Sequence, residues 1–246
     1  MSLKYQSEAD ENVIDSERET RTQVVARPAF PVYTAALLAC IIAVMAAQLY
    51  SGLDSSISIA GFVKPDFINR HEYWRIVTGA ALHGSLLHIL MNGYALFSFG
   101  RLFELLSSKA HLAIVFLVSA VGGGVLSLIM MPAGISVGAS GGIVGLISYL
   151  AVYAFRRRRF ISVEFRKNLL VNIGFILIFG LVLYQVIDNY GHIGGLIAGA
   201  VYGYIQIPAD ESVDPRVAGT AAEVFGLVAL GIYAAASLFS IYLMLQ

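Results

Sequence analysis

Seven long apolar runs limit the fold of this chain more than any other feature of its sequence. A helix that crosses a lipid bilayer needs about 20 predominantly apolar residues. Because unpaired backbone groups are too costly in hydrocarbon, apolar runs of this length predict helices. The predicted fold is an all-α, polytopic membrane bundle whose spans cover residues 30–50, 82–106, 111–131, 140–155, 169–187, 191–207 and 221–245.

The composition agrees with a membrane protein. Apolar residues make up 58% of the chain and charged residues 13%, whereas soluble domains have about 45–50% and about 25%. A formal net charge of zero gives no electrostatic reason to expect nucleic acid as a partner. The single cysteine, Cys40, excludes an internal disulfide and a cysteine-based metal cluster.

These patterns divide the chain into three predicted parts. Residues 1–27 are polar and rich in charge, so we expect a flexible cytoplasmic tail. The tail lacks the apolar stretch of a signal peptide and is too acidic for a mitochondrial transit peptide. Residues 28–208 contain the first six spans, and residues 209–246 add a cytoplasmic linker and the seventh span.

The basic residues predict the orientation, because lysine and arginine collect in cytoplasmic loops. Residues 156–159 are four arginines that follow the fourth span, and Arg166 and Lys167 precede the fifth. With this loop in the cytoplasm, the N-terminus is cytoplasmic too, and the loop at residues 51–80 lies partly in the outer headgroup layer. A compact chain without an organelle signal favours a bacterial inner membrane, with a eukaryotic secretory membrane as the alternative.

Polar residues interrupt the second, fourth and sixth spans, so we expect these three inside the bundle and the others facing lipid. Ser140 opens the fourth span between Gly138 and Gly141, and His192 lies at the start of the sixth. The orientation puts both near the outer surface. Because a lone serine beside glycines is usually a helix N-cap, Ser140 suggests catalysis only together with His192.

Small residues predict that the fourth and sixth spans touch. Gly195 and Gly199 lie on the helical face of His192, and such faces allow helices to approach closely. This contact would join Ser140, as a nucleophile, to His192, as a general base. The alternative is a glycine-packed helix pair with an incidental histidine.

The second span contributes His83, His88 and Asn92. His88 and Asn92 are four residues apart, so they share a face and can donate hydrogen bonds to an oxyanion. His83 is turned away, and we expect it to tie the helix to the outer loop. A zinc site at His88 and His192 is the alternative, but no carboxylate is placed to complete it. We therefore expect no metal and no cofactor.

Together, these motifs resemble the rhomboid family of intramembrane serine proteases over roughly residues 31–207. Each motif is loose alone, but their order and predicted depth make the set specific. A seventh span resembles the "six plus one" arrangement of some members. The matching motifs are the Trp74-Arg75 pair, the HxxxxHxxxN pattern of His83, His88 and Asn92, Glu104, the GxSG of Ser140, and the HxxGxxxG of His192, Gly195 and Gly199.

The resemblance implies a Ser–His dyad, with Ser140 as nucleophile and His192 as base. It implies an oxyanion hole made of the Ser140 N–H, His88 and Asn92. Asp188, four residues before His192, is a candidate third member of a triad, but we favour it as an N-cap. Other residues are expected to support the site structurally. They are His83, Trp74, Arg75, Glu104, Gly138, Gly141, Gly195 and Gly199.

One position departs from the family pattern. Many relatives carry an aromatic residue four positions after the serine that stacks on the catalytic histidine, and here the residue is Val144. Packing on His192 is then expected from Tyr190 or from a tyrosine on another helix.

The resemblance implies single-span membrane proteins as substrates, cut near their outer ends. Two other functions stay open at this point. One is a catalytically silent relative that binds or guides membrane clients. The other is a proton-coupled transporter. The polar residues of the predicted spans lie in their outer halves and form no polar path to the cytoplasm, which argues against this function.

Overall fold

The computed structural model describes residues 30–246, so the predicted tail at residues 1–27 lies outside the described part. The predicted all-α fold is confirmed, because the two strands are only two residues long and pair with each other. In chain order the elements are α1 (Val32–Ser51), α2 (Leu53–Ala60), β1 (Phe62–Val63), α3 (Lys64–Asn69), α4 (Arg75–Thr78), α5 (Leu86–Leu106), α6 (Lys109–Met130), β2 (Ile135–Ser136), α7 (Ser140–Arg156), α8 (Val163–Val182), α9 (Asn189–Gln206) and α10 (Thr220–Met244).

Each predicted span corresponds to a long helix. Four helices in the described part, α1, α6, α8 and α10, are long and apolar enough to cross a membrane by length and composition alone. The other long helices, α5, α7 and α9, are those whose sequences carry the serine, the histidines and most of the glycines. In these three helices, small residues allow close packing against neighbouring helices, which stabilises them in the bundle in addition to their apolar length.

The predicted set of inner helices is only partly right. Helix α7 is buried along most of its length, from Gly142 to Ala151, between α5, α6, α8 and α9. Helices α5 and α9 bury one face and expose apolar residues such as Leu90 and Ile197 on the other. Helix α6, predicted to face lipid, buries residues from Ala110 to Ser127 against α7, α9 and α10. A small-residue face suffices for close packing, so α5 and α9 need not be enclosed.

Glycines let α9 approach α7 as closely as two backbones can. A Cβ added at Gly195 would fall on the carbonyl oxygen of Gly141, and one at Gly199 would fall on that of Gly145. The contact predicted between the fourth and sixth spans is therefore present in the structure.

Helix α8 departs from the predicted fifth span at residues 169–187, because it covers Val163–Val182. The Ser162 hydroxyl accepts a hydrogen bond from the backbone N–H three residues later (3.1 Å), so this cap starts the helix ahead of the apolar run. Only Leu169 and Gly180 of α8 are buried. Helix α8 thus lies at the edge of the bundle.

The seventh long helix, α10, packs against α1 and α6. The Tyr233 hydroxyl donates to the Ala80 carbonyl (3.1 Å), and the Ser51 hydroxyl donates to the Met244 carbonyl (2.9 Å). Helix α10 therefore belongs to the same compact unit, Pro31–Gln246, as the six helices before it.

Candidate active site

Ser140 and His192 meet where α7 and α9 begin. Ser140 is the first residue of α7, and His192 lies in the first turn of α9. The Ser140 Oγ and the His192 Nε2 are 2.8 Å apart, which is a hydrogen bond. Since His192 is only 8% exposed, little water competes for this contact.

The backbone before α7 requires a glycine at position 138. Gly138 has a φ of 124°, a conformation that L side chains rarely adopt, and its N–H donates to the Gly79 carbonyl (2.9 Å). A Cβ at Gly138 would also lie 2.8 Å from Nε2 of His88 and 3.8 Å from the Ser140 hydroxyl. The imidazole of His88 and the Ser140 hydroxyl thus border the same small space.

His88 and Asn92 lie on the face of α5 that was predicted. The Gly84 N–H donates to His88 Nδ1 over a long 3.4 Å, so the ring proton is assigned to Nε2, which borders the space beside Gly138. The Asn92 side chain is buried and donates to the His88 carbonyl (3.0 Å), and its amide has a second proton to offer. His88 Nε2 can therefore donate into this space beside Ser140.

His83 is fully buried, and its backbone is held by Gln48 of α1. The Gln48 amide accepts from the His83 N–H (2.9 Å) and donates to the His83 carbonyl (3.0 Å). The His83 ring meets His88 edge to face, with centroids 5.0 Å apart, and its nitrogens have no hydrogen-bond partner among residues 30–246. His83 thus ties the start of α5 to α1, and its ring backs His88.

The Trp74-Arg75 pair holds together the segment of residues 52–85. The Arg75 guanidinium is buried and donates to the Gly61 carbonyl (2.8 Å) and the Glu72 carboxylate (2.5 Å). It also lies 4.7 Å from the centre of the Trp74 ring, whose edge meets Phe239 of α10. These contacts dock the segment on α10.

Glu104 sits at the opposite end of α5 from His88. One carboxylate oxygen accepts hydrogen bonds from both the backbone N–H and the hydroxyl of Thr34, each 2.7 Å long. The Thr34 N–H lies in the first turn of α1, where backbone N–H groups have no acceptor within the helix. Glu104 therefore caps α1 and joins it to α5.

Asp188 caps α9, as predicted, through a bond from the Gly191 N–H to its Oδ1 (2.8 Å). Its Oδ2 accepts from the hydroxyls of Ser127 and Ser136. Burial alone raises the Asp188 pKa, but these three hydrogen bonds and the nearby Lys64 ammonium outweigh burial and lower it. The carboxylate is therefore charged, and its oxygens serve the cap and the hydroxyls.

The ring of His192 lacks the supports that the sequence suggested. Within residues 30–246, no aromatic ring stacks on His192, and its Nδ1 has no hydrogen-bond partner. Val144 is buried in α7. The position of the His192 ring thus depends on the backbone of α9 and on Ser140.

A cavity of about 50 Å³ adjoins Ser140. Its wall includes Ser140, Phe62, Gly123, Ser136 and Asp188, so one side is polar and the rest is apolar or backbone. This volume holds one or a few water molecules. The site therefore combines a serine hydroxyl, an adjacent base and a small cavity with a polar side. In the described part of the chain, no three His, Cys, Asp or Glu residues are grouped to hold a metal ion.

Comparisons with known proteins identify the family. The family model described as Rhomboid domain matches residues 70–209. The chain is 30% identical to RHOMBOID-like protein 6, mitochondrial, of Arabidopsis thaliana over 153 residues, which are 59% of this chain and 47% of the relative.

Two further relatives differ in their named activity. The chain is 32% identical to Rhomboid protease GluP of Bacillus subtilis (strain 168) over 139 residues, which are 56% of this chain and 27% of the relative. It is 28% identical to Inactive rhomboid protein 1 of Papio anubis over 158 residues, which are 63% and 18%. The chain spans less than half the length of each of these three relatives.

Proposed function

This chain belongs to the rhomboid family, and we propose that it is a serine endopeptidase that cuts transmembrane segments of other membrane proteins. The chain is a multi-pass membrane protein. The observation that carries the proposal is the 2.8 Å contact between the Ser140 Oγ and the His192 Nε2. A serine becomes a nucleophile when an adjacent base takes its proton, and this pair meets that requirement.

In the proposed reaction, the Ser140 Oγ attacks the substrate carbonyl carbon while its proton passes to His192 Nε2. The negative charge on the carbonyl oxygen is stabilised by the Ser140 N–H, His88 and Asn92. His192 then gives the proton to the departing amine. Water attacks the acyl-serine, and His192 takes and returns a proton again, which releases the acid and restores Ser140.

A dyad fits this site better than a triad. Asp188 uses its oxygens on the helix cap and on Ser127 and Ser136, and the His192 Nδ1 has no partner in the described part of the chain. In a triad, a carboxylate accepts the Nδ1 proton and holds the imidazole tautomer. Here the Ser140 hydroxyl contacts the other ring nitrogen, Nε2, at 2.8 Å.

We propose single-span membrane proteins as substrates, cut near their outer ends. The site supports this choice, because Ser140 and His192 lie at the ends of their helices. We also propose a bacterial inner membrane with a cytoplasmic N-terminus, supported by the B. subtilis relative and by the arginines at residues 156–159.

A catalytically silent client-binding protein is the second candidate, favoured by the likeness to a relative named as inactive. The Ser140–His192 contact speaks against it. A fluorophosphonate probe separates the two candidates, because it labels a serine only when a base activates it. Folded wild-type protein that neither takes up the probe nor cuts a substrate would support the silent candidate.

The direct test is cleavage of a transmembrane reporter by purified full-length chain in liposomes. Ser140→Ala and His192→Ala are each expected to abolish cleavage. Matched controls are Ser58→Ala, an exposed serine, and His71→Asn, an exposed histidine whose φ of 58° suits asparagine. Both controls should cleave at the wild-type rate. Cleavage by purified Ser140→Ala at that rate would reject the assignment.

A further inference from the structure

A polar cluster of Lys64, Ser127, Ser136 and Asp188 joins four parts of the chain at the start of α9. Lys64 and Ser127 are buried, and Ser136 and Asp188 are half-buried. Lys64 opens α3, Ser127 lies in α6, Ser136 ends β2 and Asp188 caps α9. The Lys64 ammonium donates to the Ser127 hydroxyl (2.7 Å) and lies 4.0 Å from the Asp188 Oδ2. We call these four residues the Lys64 cluster.

The lysine is the unexpected member of this cluster. Its side chain is 1% exposed, whereas lysines almost never become fully buried without a partner. Burial lowers the Lys64 pKa, and the Asp188 carboxylate acts in the opposite direction. A helix cap needs only the carboxylate oxygen. The buried lysine therefore has a role beyond capping, and neutralising the Asp188 charge fits its position.

The cluster acts on the turn that carries the base. The Asp188 carbonyl accepts from the His192 N–H (3.1 Å), and its side chain accepts from the Gly191 N–H. Ser136 and Asp188 also line the cavity beside Ser140. Because no aromatic ring and no Nδ1 partner supports His192 in the described part, its position depends on this turn.

We propose that Lys64 is a positioning residue that holds His192 against Ser140 through the Asp188 cap. The buried ammonium balances the half-buried carboxylate, so Asp188 can stay charged and keep the first turn of α9 in place. The backbone of Lys64 also links α3 to the segment before β2, because the Lys64 N–H donates to the Gly134 carbonyl (3.2 Å). This inference rests on the proposed protease function.

The test is a double-mutant cycle with Lys64→Met and Asp188→Asn in full-length protein in liposomes. Methionine matches the length of lysine without its charge, and asparagine keeps the oxygen that caps Gly191. Lys64→Met leaves the half-buried Asp188 carboxylate without its cation, and Asp188→Asn leaves the buried Lys64 ammonium without its anion. In each single variant, kcat for the reporter should therefore fall about tenfold or more with KM little changed. The double variant leaves neither charge, and kcat should return to within about threefold of wild type. Lys167→Met, at an exposed lysine, is the matched control and should have wild-type kcat.

The labelling rate with a fluorophosphonate gives a second readout at Ser140, and thermal unfolding normalises each rate to folded protein. Wild-type kcat and labelling in Lys64→Met would overturn the proposal. So would a double variant that is as slow as the single variants, or one that does not fold. If Lys64→Met alone fails to fold, near-wild-type kcat in the double variant still supports the charge-balancing role. Reporter cleavage by Ser140→Ala tests the protease proposal separately. Cleavage that survives this substitution would reject the protease proposal, whatever the Lys64 variants show.

Discussion

Gly195→Ala tests whether the approach of α9 to α7 sets the catalytic geometry. The added Cβ would fall on the Gly141 carbonyl oxygen and lie 2.9 Å from its carbonyl carbon. Carbon atoms pack at about 3.5–4.0 Å, so α9 must move away by about 0.6 Å or more. His192 lies one turn from Gly195 on the same face, so the shift reaches its ring.

This shift lengthens the contact between Ser140 and His192 from 2.8 Å to about 3.4 Å, beyond the usual hydrogen-bond range. A misplacement of about 1 Å costs up to about 10²-fold in rate, so cleavage should fall by about ten- to a hundredfold. Overpacking should destabilise the fold by about 1–3 kcal/mol, which leaves folded protein to assay.

The assay combines reporter cleavage, fluorophosphonate labelling and thermal unfolding in one detergent. Gly174→Ala is the matched control, because a Cβ there meets nothing within 4 Å and alanine favours the helix. Gly174→Ala should cleave at the wild-type rate. If folded Gly195→Ala also does so, the contact between the α7 and α9 backbones does not set the geometry of the pair, and the reasoning is wrong.

Three further predictions concern residues around the site. Gly138→Ala should lose about 1–3 kcal/mol of stability from its φ of 124° and cut poorly because its Cβ meets His88 at 2.8 Å; wild-type cleavage would contradict this. Glu104→Ala should lower the free energy of unfolding by about 1–3 kcal/mol, because it leaves the Thr34 N–H unpaired, and kcat per folded enzyme should not change. Glu104→Gln keeps an acceptor, so a thermal shift equal to that of Glu104→Ala would argue against the cap. Since the Asp188 pKa is lowered on folding, its charge stabilises the fold above pH of about 4 and this contribution is lost as pH falls through the lowered pKa. The melting temperatures of wild type and Asp188→Asn should therefore differ steadily between pH of about 5 and 8 and converge below pH of about 4, and a gap that widens on acidification would refute the sign.

The sequence alone does not reveal what positions the His192 ring. Val144 stands where many relatives carry a stacking aromatic residue, and the sequence offers Tyr190 as a replacement. In the structure, the Asp188 carbonyl accepts from the His192 N–H and the Asp188 side chain caps α9, so the ring is positioned through the helix backbone. A missed signal was available at Gln48, because a polar residue inside an otherwise apolar first span needs a partner.

Lys64 carried a weaker signal. A lysine between Phe62 and Phe67 in a loop rich in charge is typical of a headgroup contact, and the sequence predicts such contacts for the whole segment. Only the folded chain shows that the pairing of β1 with β2 directs Lys64 inward, towards Ser127 and Asp188. Local sequence cannot predict this, because its partners lie 63 or more residues away.

The sequence by itself determined the class of fold, and it predicted the helix contact that brings Ser140 to His192. These follow from the length of apolar runs and from the cost of polar groups in hydrocarbon, which act locally along the chain. The tertiary structure decided which helices are enclosed, where α8 begins, and how the α9 backbone and Ser140 hold His192. Those outcomes depend on backbone contacts such as Gly195 against Gly141 and on the Lys64–Asp188 pair, which exist only when distant segments pack together.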